Sequence, residues 1–241
     1  VPYLPVPQLV GKHLDGLRQA GIDDFMLSWT LGGYPSFILE LLSANSLTET
    51  LEHHFPSNAV ALIEAACEQF SAAFTEFPFS ISVVYHAPQT FGPMNLLHLF
   101  PTGFTATMLG FPYDDLQTWR NIYPEDVFES QFRILSDTWQ EGLKTLDDAR
   151  AAVQPADAAT LNDLHRIATA AWCHFRSTYL QISFVRRRAR PQEHIATLND
   201  IVDEEIQLAK TLLSLVRQDS RIGFEASNHY YYTQNDLIEK V

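Results

Sequence analysis

Four long segments carry apolar residues at spacings of three and four, and that period constrains the fold more than any other property of the chain. Val60, Ile63, Ala66, Phe70 and Phe74 mark a helix to about Phe77, with Ser57 as its expected cap. A second helix is expected from about Pro124, where proline in the first turn costs nothing, with a stripe of Phe128, Phe132, Leu135, Trp139, Leu143 and Leu146. A third starts near Asp157 and carries Leu161, Leu164, Ile167, Ala171, Phe175, Tyr179 and Ile182 before Pro191 terminates the run. The fourth carries Ile195, Leu198, Val202, Ile206, Ala209, Leu213 and Val216. At the helical rise the third could reach roughly 45 to 50 Å, so these are antiparallel hairpin elements rather than connectors. The expected class is mainly α: a multi-helix, bundle-like domain with long antiparallel helices over residues 35–241.

With 241 residues and 46% apolar content, the chain can build a genuine core. No apolar run approaches the roughly 18 to 20 residues of a membrane span, which predicts a soluble, cytoplasmic protein without a membrane partner. The net charge of -13 repels a phosphate backbone and argues against nucleic acid. The exception, Arg186-Arg187-Arg188-Ala189-Arg190, falls at a predicted helix end, where cations meet the negative end of the dipole, and is expected to be a solvated terminus. Cys67 and Cys173 are expected as buried free thiols.

The first 34 residues read differently. Leu9, Leu14 and Leu17 lie near one face of a helix from Pro7 that stops at Gly21, and Phe25, Leu27 and Trp29 then alternate as in a short strand. A lone parallel strand cannot satisfy its backbone groups, so its partners are expected upstream or in another chain, and the missing initiator Met fits truncation or processing. Residues 1–34 are thus read as the end of an upstream domain. Two further regions lack a period: Pro78 to Tyr123, where short helices or strands and a specific job are expected, and Asp219 to Tyr232.

Three surfaces could carry chemistry. Tyr85 to Asn95 mixes aromatic faces, the His86 imidazole and the amide of Asn95, which suits a carbohydrate, although a Pro-rich connector with core aromatics reads equally well. Gly110 to Arg120 places Asp114 and Asp115 before Trp119 and Arg120; this resembles a polar binding rim, yet helix capping suffices for at least one carboxylate. In Arg221 to Tyr232, Glu225 and His229 are four apart and could act as acid and base, as metal ligands or only as a bonded pair, beside Tyr230. Trp29, Thr30 and Tyr34 stand at the strand's C-terminal end, where ligands of parallel sheets bind. Glu49, Glu52, His53 and His54 lack the paired Glu-x-x-His pattern of di-metal bundles, and the histidine pair is read as surface or cap. No cofactor and no metal are expected.

Asp24-Phe25-Met26-Leu27-Ser28-Trp29-Thr30 resembles the eighth strand of the (β/α)8 barrels of retaining glycoside hydrolases, where a Trp commonly ends the strand and borders the sugar site. The resemblance covers about the first 34 residues. It implies that Pro7 to Gly21 is the helix after strand seven and that the helical remainder is a domain appended to a bacterial barrel. It also implies catalytic carboxylates at the ends of strands four and seven, before Val1, leaving Trp29 as the transferable sugar-stacking residue.

The expected function is therefore the C-terminal region of a glycoside-hydrolase-like protein, inactive in isolation. Its partners would be a carbohydrate or glycoside ligand and an upstream barrel, with a homo-oligomer left open. It requires Trp29, Tyr85, His86, Asp114, Trp119, Glu225 and His229 to converge in space. A second reading is a non-catalytic helical protein-interaction domain. A third is a self-contained hydrolase using Glu225 with Asp114 or Asp115, which needs carboxyls roughly 5 to 9 Å apart.

Overall fold

The computed structural model describes residues 4–22, 24, 36–44, 46–86, 88–107, 112–225 and 229–241, without the side chains of Tyr85, His86, Glu225 and His229. The chain is mainly α. Among the described residues the helices are α1 (Pro7–Gln19), α2 (Leu47–His54), α3 (Val60–Phe74), α4 (Ile81–His86), α5 (Leu116–Trp119), α6 (Glu125–Ala152), α7 (Ala159–Arg187), α8 (Pro191–Gln218) and α9 (Gln234–Lys240). Short 3-10 turns include Phe37–Leu42 and Gly92–Met94, and β1 (Phe224–Glu225) pairs with β2 (His229–Tyr230). The strand expected over Phe25 to Trp29, and with it the proposed barrel end, lies outside the described residues.

The helical period was a sound guide. The whole predicted stripe of α6 is buried, as are Leu161, Leu164, Ile167, Ala171, Phe175 and Ile182 of α7. On α8, Leu198, Ala209, Leu213 and Val216 of the expected stripe are buried, Ile195 and Val202 are exposed, and the buried face also takes in Ile201, Glu205, Leu208 and Leu212. The charged Glu205 on that face hid its full extent. Helix ends were read less well. Ala59 rather than Ser57 stands at the start of α3, without a side-chain cap, and Asn58 instead donates to the Ala152 carbonyl at 2.6 Å. Pro191 opens α8, because α7 has already ended at Arg187 and a proline fits a first turn.

Two compact units emerge. The first comprises Val1–Thr75, Asp137–Thr169 and Glu225–His229. In it α1 packs on α3 and on the Phe37–Leu42 turn, and α2 packs on the same two elements. Pairs between α6 and α7 run in opposite sequence order, with Arg150 on Asn162, Asp147 on His165 and Trp139 Nε1 on the Ala168 carbonyl, so the two helices are antiparallel here. Phe70 lies against Trp139 with ring centroids 4.6 Å apart. The second unit comprises Glu76–Ser136, Ala170–Phe224 and Tyr230–Val241. There α8, α9 and the Gly92–Met94 turn pack together, and Trp119, Phe128 and Phe132 form an edge-to-face ring cluster. The Pro78 to Tyr123 region, all within this unit, contains α4, short 3-10 turns and α5, as expected for so long a stretch.

Candidate functional site

Among the described residues, Asn95, Asp114, Asp115 and Arg120 make bonds that hold the second unit together. Asp114 and Arg188 form an ion pair at 2.9 Å whose side chains are only 2% and 5% exposed. Burial alone would raise the Asp114 pKa, but the Thr102 amide and hydroxyl and the Arg188 guanidinium outweigh it and hold the carboxyl below its usual range. Arg188 also donates to the His98 carbonyl, so one guanidinium pins the loop before Asp114. Asp115 accepts from the Ala106 amide at 2.6 Å and makes no side-chain cap on α5. Trp119 is fully buried, donates to the Tyr113 carbonyl and packs on Phe128; it is a core residue rather than a rim residue, because its ring completes the aromatic cluster. Arg120 braces the start of α6 through Tyr123, Gln117 and Glu125.

The arginine cluster is likewise no solvated terminus. Arg186 and Arg187 both reach the nearly buried Glu129, and Arg188 is the buried partner of Asp114; Arg190 alone of the four is largely exposed, at 74%. Three of these four cations are drawn inward because carboxylates distant in sequence meet them.

A buried polar network fills the space between α7, α8, α9 and the Gly92–Met94 turn. His174 Nδ1 meets the Gln89 carbonyl, so it carries the proton, and Nε2 accepts from the Tyr232 hydroxyl at 2.7 Å. Burial pushes the His174 pKa down to about 4, which keeps the imidazole neutral. Gln181 donates to the Gly92 carbonyl and to Ser177, and Asn95 donates to Gln181 at 3.0 Å. Asn95 is therefore a bracket inside the fold. Glu205 is fully buried; burial pushes its pKa up, while Lys240, at 3.1 Å, opposes the shift and also bonds the Asn95 carbonyl. Cys173 is buried beside this network and Cys67 is buried in the first unit, its thiol pushed up to about 12; both are free, as expected, and poorly nucleophilic.

An accessible surface remains where α8 ends and α9 begins. A recess of about 300 Å³ is lined by Val216, Ser220, Tyr230, Thr233, Gln234 and Asn235. Tyr230 is 49% exposed; its ring packs edge-to-face on Phe224 and is steadied by a hydroxyl bond to the Ser220 carbonyl. Thr233 and Asp236 form a reciprocal capping box that sets the start of α9 and hence the positions of Gln234 and Asn235. The sequence reading named Tyr230 but missed the other lining residues, although Thr233-x-x-Asp236 was a signal that a helix starts there.

Trp29 and Tyr34 lie outside the described residues, as do the side chains of Tyr85, His86, Glu225 and His229. Of the residues expected to converge, Asp114 and Trp119 are both buried within the second unit, each with a structural partner. No protein family, curated protein or solved structure matches the chain.

Proposed function

We propose that this chain is the C-terminal region of a carbohydrate-active, glycoside-hydrolase-like protein and contributes a sugar-binding recess in which Tyr230 is the stacking face. The observation that carries the reading is the composition of that recess: one half-exposed aromatic ring beside two hydroxyl and two carboxamide side chains. Sugars present C-H faces to rings and hydroxyls to amides, and this set offers both. The strand-like run ending at Trp29 supports the same class through its resemblance to a barrel end. On this reading catalysis belongs to the barrel and not to the helical domain. Asp114 does not serve as a catalytic carboxylate here, since its oxygens are engaged by Thr102 and Arg188.

The test is titration of an oligosaccharide panel by calorimetry, repeated with Tyr230→Ala. Saturable binding weakened roughly tenfold by the substitution is expected, in line with loss of one aromatic contact. Absence of binding to every glycan, or binding indifferent to Tyr230, would sink the proposal.

A second reading, a protein-interaction domain without catalysis, draws on the exposed apolar side chains Phe79, Ile81 and Ile122, which are 71%, 66% and 83% exposed. The Tyr123 hydroxyl donates to the Phe79 carbonyl and brings these segments together. That reading is favoured if the panel fails while Phe79→Ser raises solubility.

A further inference from the structure

In the first unit, the Phe37–Leu42 turn brings Glu40 against the C-terminal end of α2. Its Oε2 lies 3.1 Å from His53 Nδ1, and its Oε1 lies 2.8 Å from His54 Nε2. One ligand atom from each of the three residues falls within 4.8 Å of the others. We infer that Glu40, His53 and His54 form a binding site for a divalent transition-metal ion of the zinc class.

The distances suit that assignment. Two ligand atoms each about 2.1 Å from a tetrahedral ion are about 3.4 Å apart. The carboxylate-imidazole separations of 3.1 and 2.8 Å need only a small outward turn of the side chains to admit it. His54 Nε2 adds a second sign: it is shielded from solvent and makes no hydrogen bond of acceptable geometry, although Oε1 is so near. With Nε2 unprotonated, that nitrogen and the carboxylate can both turn lone pairs to one ion.

The chemistry selects the ion. Imidazole nitrogens with one carboxylate suit zinc and its neighbours in the transition series, whereas calcium and magnesium prefer all-oxygen shells. The frame is tied as well. The Glu40 carbonyl accepts from the amides of Ser43 and Ala44, and Arg18 of α1 donates to the Leu42 carbonyl. The His53 side chain is 74% exposed, so the remaining coordination positions open to water. The ion would clamp the turn onto α2 and keep exchangeable positions for a further ligand.

Zinc sulfate titrated into the metal-free chain should show one saturable equivalent by calorimetry and a rise in Tm with zinc concentration. Glu40→Gln keeps the shape and a hydrogen bond to histidine but lacks the charge, and it should weaken zinc binding by about tenfold or more, as should His53→Ala. His98→Ala, at an exposed histidine of the second unit, should bind as the parent does. Cobalt substitution gives a second readout, visible d-d absorption lost in His53→Ala/His54→Ala. Absence of saturable zinc binding in the parent would overturn the site. So would equal affinity in the double histidine variant with its circular dichroism unchanged.

Discussion

Gly142 shows how a single atom decides a packing problem. It lies within α6, where alanine is intrinsically preferred by about 1 kcal/mol. A Cβ there would stand 2.5 Å from the Phe70 ring, and Phe70 cannot retreat because it is fully buried against Trp139. Gly142→Ala is expected to destabilise by about 1 to 3 kcal/mol in urea unfolding, and a gain in stability would refute the close fit. His174 supplies a pH-dependent counterpart. Its folded pKa of about 4 lies below the ordinary 6.5, so the unfolded chain binds the proton first as pH falls. The stability it contributes is whole above about pH 6.5 and is lost progressively down to about pH 4, roughly 3 kcal/mol in all. Denaturation midpoints across that window should fall less steeply in His174→Gln than in the parent; parallel curves would remove His174 from the account. Neither residue announced its role in the sequence, because a glycine in a helix and a histidine in an apolar stripe each read as incidental until the facing ring or hydroxyl is known.

At the scale of elements, the long helices were legible because a 3.6-residue period is written along the chain itself. What the period could not supply was the polar exception. Glu205 sits on the buried face of α8, and α9 is docked there by Lys240, whose ammonium reaches it at 3.1 Å. Removing one member leaves an uncompensated buried charge, so Lys240→Ala should cost about 3 to 5 kcal/mol, whereas Lys240→Met combined with Glu205→Leu should recover most of that loss. A single substitution costing under about 1 kcal/mol would show that the pair does not fasten α9. The short elements were harder to read than the long ones. The Gly92–Met94 turn is held by Gln181 and lies against His174: a Cβ at Gly92, where φ is +56°, would be 2.7 Å from His174 Nδ1. Such a turn has no pattern of its own, since its conformation is set by the helices it touches.

For the molecule as a whole, the two thiols report on the two units separately, Cys67 in the first and Cys173 in the second. Both are buried with raised pKa, so a thiol reagent at neutral pH should modify neither until denaturant is added. Quantified peptide mapping then shows whether the units open together or in sequence, and rapid native labelling of either cysteine would contradict its burial. No helix among the described residues is long and apolar enough to cross a membrane, in keeping with the hydropathy of the sequence. The sequence by itself determined the mainly α class, the long helices and the burial of most of their apolar stripes, because these follow from neighbours three and four residues apart. The tertiary structure alone decided which polar groups meet. Glu40 faces His53, Glu205 faces Lys240 and Asp114 faces Arg188 across separations of 13, 35 and 74 residues. Charge pairing depends on distance in space, and no local period encodes it.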